Sequence, residues 1–190
     1  MKRSKSIKLV VMATTTVSLA GCSDEPNLDG QVYKTEADCV AADFVPDEVC
    51  PVLMQAGKDI NASSAPRYDT ATLCAEQHGN NTCLYDTSNE GSYYAPQPVG
   101  YFVSGNLTGL TAAVASAALI NNIRPLYPER GSRRYYTSHG YYVGNYGGTS
   151  WRTYDDAVKT TPKPAKVQTR TSVASRGGFG SRSSFGSRGG

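Results

Sequence analysis

Two short segments, Tyr33-Lys-Thr-Glu-Ala-Asp-Cys39 and Tyr68-Asp-Thr-Ala-Thr-Leu-Cys74, repeat Tyr, Thr and Cys at an offset of 35 residues. Such self-similarity marks two copies of one small unit. In each copy the Thr, at 35 and 70, is suited to cap a short helix by accepting from free backbone amides, and Asp38 holds the capping-box position of the first. Cys39 and Cys74 then fall about one turn into their helices. Each copy continues through a polar turn to a second cysteine: Val45-Pro46-Asp47-Glu48 precedes Cys50, and His78-Gly79-Asn80-Asn81 precedes Cys83. Four cysteines admit three pairings, of which equivalence of the units selects the two local bridges, Cys39 with Cys50 and Cys74 with Cys83. On the chain-entropy model each such loop stabilises by about 2 to 3 kcal/mol, enough to decide the folding of a small module with a thin core. Zinc is the rival use of these cysteines. The C-x10-C and C-x8-C spacings are longer than those of a tetrahedral knuckle, so no metal site and no cofactor is expected.

Bridges require an oxidising compartment, and the start of the chain supplies the address. Lys2, Arg3, Lys5 and Lys8 precede an apolar stretch, Leu9 to Ala20, in the order and length of a signal peptide and too short for a membrane span. It ends in Leu19-Ala20-Gly21-Cys22, which resembles the bacterial lipobox. Cys22 is therefore the expected lipidation site and mature amino terminus, with two or more acyl chains making a stable anchor. Ser23 follows Cys22, which by resemblance to enterobacterial sorting favours the outer membrane.

Residues 22–31 are polar, rich in turn formers, and read as a tether. Between the repeats, Val52, Leu53, Ala56 and Ile60 fall at helical spacing, with Pro51 suited to the first turn and Pro66 to the end. Residues 86–100 read as loop by composition. Leu107 to Ile123 is uncharged and small-residue-rich, and reads as a helix packed on protein rather than a membrane span. Tyr135-Tyr-Thr-Ser-His-Gly-Tyr-Tyr142 places aromatic pairs around a turn and suits a short hairpin. From Lys159 to Gly190 the chain holds seven positive charges and no negative one, namely Lys159, Lys163, Lys166, Arg170, Arg176, Arg182 and Arg188. That composition reads as a disordered tail.

The expected organisation is a signal peptide over 1–21, a tether over 22–31, a disulfide-stapled repeat module over 32–85, a loop, small-residue helix and Tyr/Gly-rich hairpin over 86–158, and the basic tail over 159–190. The expected fold is a small α-rich disulfide-stapled module, α+β if the hairpin forms, with disordered flanks. Charge divides along the chain: residues 23–98 carry 13 acidic and 3 basic side chains, residues 99–190 carry 3 acidic and 12 basic. The halves should attract each other or different partners.

The signal peptide ending at Cys22, the two Tyr-x5-Cys segments, Ala65-Pro-Arg-Tyr68, Arg124-Pro-Leu-Tyr127 and the Arg-Gly-Gly-Phe-Gly tail together resemble the YgiB-like family of uncharacterised bacterial lipoproteins. The resemblance implies an envelope location and carries over no catalytic residue.

For hydrolytic chemistry the chain offers only two imidazoles, His78 and His139, both read as exposed loop residues, and Asp155-Asp156 has no partner carboxylate. The Arg-Gly-Gly-Phe elements resemble segments that stack on nucleic acid, but export leaves phospholipid head groups, lipopolysaccharide phosphates and peptidoglycan carboxylates as the available anions. Residues 133–154, which are rich in Tyr and hold Trp151, read as packing surface before sugar platform. A non-enzymatic, lipid-anchored envelope protein is expected, with the basic tail contacting anionic lipids or peptidoglycan. The alternative is an enzyme acting on cell-wall material.

Overall fold

The three helices expected from the repeats and from the segment between them are present in the computed structural model, which describes residues 26–89, 91–105, 121–147, 151–159 and 161–174. Helix α1 (Glu36–Val40) starts on a complete capping box: the Asp38 amide donates to Thr35 Oγ1 at 3.2 Å and the Thr35 amide donates to the Asp38 carboxylate at 2.9 Å. Helix α2 (Cys50–Ser64) carries Pro51 in its first turn and buries Leu53, Met54, Gly57 and Ile60. Helix α3 (Ala71–His78) starts on Thr70, whose Oγ1 accepts from the Leu73 amide at 3.3 Å. Cys39 is bonded to Cys50 and Cys74 to Cys83, the two local bridges.

The fold class is nevertheless not α-rich. Among the described residues ten strands dominate it: β1 (Leu28–Tyr33), β2 (Arg67–Tyr68), β3 (Cys83–Ser88), β4 (Gly91–Pro96), β5 (Gly100–Ser104), β6 (Ile123–Pro128), β7 (Arg134–Thr137), β8 (Tyr142–Asn145), β9 (Trp151–Thr153) and β10 (Val167–Gln168). Sheet A has the order β8-β7-β6-β5-β1-β9, and sheet B the order β10-β2-β4-β3. Within the stretch 22–31, Leu28 to Gln31 belong to strand β1, paired on one side with β5 and on the other with β9. The 86–100 stretch, expected as loop, forms most of the β3–β4 hairpin and the start of β5. The hairpin expected over 135–142 is β7–β8, with its turn at Gly140 in the left-handed region and a bulge at Tyr135/Tyr136. Of the expected helix at 107–123, residues 107–120 lie outside the described residues.

Sheet A curls until its ends meet. The Thr153 hydroxyl on β9 donates to the Tyr142 carbonyl on β8 at 2.8 Å, giving a nearly closed six-stranded barrel. Strand periodicity assigns its two faces. Val32, Phe102, Leu126 and Val143 face inward with Trp151 and Tyr135, while Tyr33, Tyr101, Val103 and Ile123 face outward onto α1, α2 and the Cys39–Cys50 bridge. A short helix α4 (Asp155–Lys159) closes the barrel interior, with Ala157 and Val158 buried. Its carbonyls are held by Arg124, which points inward opposite Phe102.

So narrow a barrel needs glycine where strands cross its interior. A Cβ on Gly30 would lie 2.4 Å from the Val103 carbonyl oxygen and 2.5 Å from the Phe102 ring, and one on Gly144 would lie 2.6 Å from the Trp151 ring. Backbone cannot yield as a side chain can, so Gly30→Ala should destabilise by about 1 to 3 kcal/mol or more. The check is a urea unfolding curve whose midpoint falls while its slope is unchanged.

Candidate functional site

The basic segment is only partly a tail. From Thr161 the chain runs along the groove beside α2, where Thr161 and Pro162 form one wall and Val52, Ala56 and Ile60 the apolar floor of a cavity of about 640 Å³. It then reaches sheet B, where β10 pairs in parallel with β2. The Asp69 amide donates to the Gln168 carbonyl at 3.0 Å. Thr169 caps a final helix, α5 (Arg170–Ala174): the Thr169 amide donates to Ser172 Oγ at 2.9 Å and the Ser172 amide to Thr169 Oγ1 at 3.4 Å. The expectation of disorder from Lys159 onward therefore fails for the described residues 161–174. A small-residue, Pro-containing segment is ordered here because a neighbouring sheet edge and an apolar seat exist to receive it.

That seat belongs to the second disulfide unit. Val173 packs on Tyr68, Leu73 and Cys74, with Cys83 and Tyr94 at its rim. Arg170 bonds the Glu76 carboxylate at 2.9 Å, which holds that carboxyl below its usual range. Exposed as it is, this pair orients the docked segment 161–174, the C-terminal strap, more than it stabilises it. On the opposite face of sheet B, the Arg67 guanidinium sits 4.5 Å above the Tyr93 ring.

Beneath the seat lies His78, which the sequence suggests is an exposed loop residue. It is instead 2% exposed. Its Nδ1 is 2.8 Å from the Pro128 carbonyl and its Nε2 is 2.7 Å from the Tyr68 hydroxyl. A carbonyl only accepts, so Nδ1 carries the proton and Nε2 accepts from Tyr68. The Tyr127 ring packs edge-on beside it, and the Tyr127 hydroxyl donates to Asn61 Oδ1 at 2.7 Å. This polar chain ties α3, sheet B, the end of β6 and α2 together. No pattern in the sequence marks it, because its members are scattered from 61 to 128 and meet only in three dimensions. His139 sits at the β7–β8 turn with Nδ1 3.3 Å from Ser138 Oγ.

The seven basic residues thus separate. Lys159 bonds Asp155 at 3.0 Å one helical turn back, and Arg170 bonds Glu76. Lys163 and Lys166 are exposed. Arg176, Arg182 and Arg188, like Cys22, lie outside the described residues.

A family model described as a protein of unknown function (DUF1190) matches residues 27–190, and the chain belongs to that family. A UPF0441 protein of Erwinia tasmaniensis is 26% identical over 185 residues, covering 90% of this chain and 78% of the relative. A UPF0441 protein of Sodalis glossinidius is 27% identical over 175 residues, covering 85% and 74% respectively. No solved structure matches the chain. The resemblance to an uncharacterised bacterial family thus holds at the level of the family.

The buried imidazole makes stability depend on pH. Burial pushes His78 down to about 4, against a smaller upward pull from the Pro128 carbonyl. An imidazole in the unfolded chain binds its proton near 6.5, so between these values the unfolded state holds a proton that the folded state refuses. Stability is therefore full above about pH 6.5 and falls as pH drops toward 4, by about 3 kcal/mol in all. His78→Gln should flatten that slope in urea unfolding curves taken across the window. An equal slope in the variant would assign the dependence to other groups.

Proposed function

We propose that the chain is a non-enzymatic bacterial envelope protein, anchored in a membrane through lipid on Cys22 and facing the periplasm from the outer membrane. Its basic C-terminal segment touches anionic lipid or peptidoglycan. The observation that carries this reading is the division of the basic residues. Two are already neutralised on the protein's own acidic surface, while Lys163 and Lys166 stand exposed on the strap that leads to Arg176, Arg182 and Arg188. Docking of the strap seats Val173 against α3 and so fixes the position of the chain just before those arginines. Each basic residue near an anionic surface contributes at most about 1 kcal/mol, and salt screens it over about 8 Å at physiological strength. The contact is thus weak alone and relies on the anchor to hold the surface close. The non-enzymatic reading is supported by His78, both of whose ring nitrogens are used inside the fold.

Two measurements check the proposal. Cells grown with labelled palmitate should label the natural chain and not Cys22→Ala; label on the variant overturns the anchor. Protein lacking residues 1–22 should bind anionic vesicles or sacculi in low salt and release at about 0.15 M salt or above. Truncation after Ala174 removes three arginines and keeps the docked strap, and should weaken that binding roughly tenfold to a hundredfold. Equal binding by the truncated chain overturns the role of the basic segment.

A further inference from the structure

The two disulfides differ in their surroundings. Both ends of Cys39–Cys50 are fully buried among Tyr33, Val45, Val49, Leu53 and Met54, between the barrel and α2. Cys74 is also fully buried, but its partner Cys83 is only half-buried. Cys83 opens β3, the outermost strand of sheet B, and is followed by Leu84 and Tyr85, which are 53% and 61% exposed. The Thr82 hydroxyl lies 3.7 Å from Cys83 Sγ, so a polar group borders this sulfur. Attack on a disulfide requires that a thiolate approach one sulfur from outside, and Cys83 is the sulfur that lies toward the surface. The other end of the same bridge forms the floor of the strap seat, where Cys74 packs with Tyr68, Leu73 and Val173.

We propose that Cys74–Cys83 is a thiol–disulfide exchange site for an external dithiol, and that opening it releases the C-terminal strap from its seat. A thiolate of the dithiol attacks Cys83 Sγ; the bond to Cys74 breaks and its electron pair leaves on Cys74 Sγ, which takes up a proton. The second thiol of the reductant, as its thiolate, then displaces Cys83, which takes up the second proton. Two electrons and two protons pass to the protein, and the dithiol ends as a disulfide. Release follows because the seat of Val173, the buried side chain of the strap's last helix, depends on the bridge, while the ladder of β10 on β2 is two residues long and the Arg170–Glu76 pair is exposed. The bridge clamps α3 to β3 and so fixes the walls against which Val173 packs. Release would part Arg170 from Glu76 and free the segment that carries Lys163 and Lys166. The proposal rests on the bridge and its seat alone, and stands whether or not the basic segment meets an anionic surface.

The test uses the full chain in detergent, exposed to dithiothreitol for graded times, alkylated and mapped by mass spectrometry. Cys74 and Cys83 should be modified at least about tenfold faster than Cys39 and Cys50, since access sets the rate. Amide hydrogen exchange over residues 167–174 should rise in step with modification of Cys83. Bridges that open together, or Cys39–Cys50 opening first, overturn the exchange site. Opening of Cys74–Cys83 with unchanged exchange over 167–174 overturns the release. The double variant Cys74→Ser with Cys83→Ser should show the raised strap exchange without reductant. If its circular dichroism shows that it does not fold, the time course on the natural chain decides alone.

Discussion

A guanidinium enclosed by a barrel sets much of the architecture. Arg124 is fully buried, and burial lowers its pKa to about 10, so it remains charged at neutral pH. Removing such a cation from water costs several kcal/mol unless strong acceptors replace the hydration shell. The acceptors are backbone carbonyls: Ile123 beside it, and Ala157 and Val158 in the last turn of α4, where carbonyls lack a helical partner. Satisfying Arg124 therefore requires α4 to sit over the barrel interior. That in turn sets β9 against β1 and brings Thr153 to the Tyr142 carbonyl, which closes the sheet. The Asn27 side chain accepts from the Asp155 amide at 3.1 Å and ties the start of β1 to the same corner.

Around this centre the two disulfide units do different work. The first staples α1 to the start of α2 and packs the outer face of the barrel. The second forms a separate small core on sheet B, linked to the first through the bond of His78 to the Pro128 carbonyl at the end of β6 and the Tyr127–Asn61 bond. The repeat in sequence is thus one local device used twice, in two environments that share little beyond their caps and bridges. The charge division also becomes concrete. Arg152 bonds Asp29 at 2.7 Å and Arg170 bonds Glu76, each joining the basic half to the acidic half. Exposed pairs of this kind contribute little to stability, so attraction between the halves guides register more than it holds the fold.

What could be read in the residues was local. A Thr accepts from an amide three residues on, a Pro suits a first turn, and two cysteines 9 or 11 apart can close their own loop; none of these needs distant chain. The strands were hidden for a physical reason. Tyr101-Phe102-Val103 is covered on both faces, by α2 outside and by the barrel interior inside, so the polar–apolar alternation that announces a half-buried strand is missing. Gly30 falls in the stretch expected as tether and Gly144 in the Tyr/Gly-rich stretch, yet each marks a close approach inside the barrel.

The sequence by itself determined the capped helices, the local bridges and the concentration of positive charge after Lys159, because each depends on neighbours within about a dozen residues. Only the tertiary structure decided that β1 is built into the barrel wall between β5 and β9, that Arg124 and His78 are interior, and that residues 167–174 return to sheet B. Those outcomes depend on which distant backbone carbonyls and sheet edges are available to satisfy buried polar groups, and that is a property of the whole chain once folded.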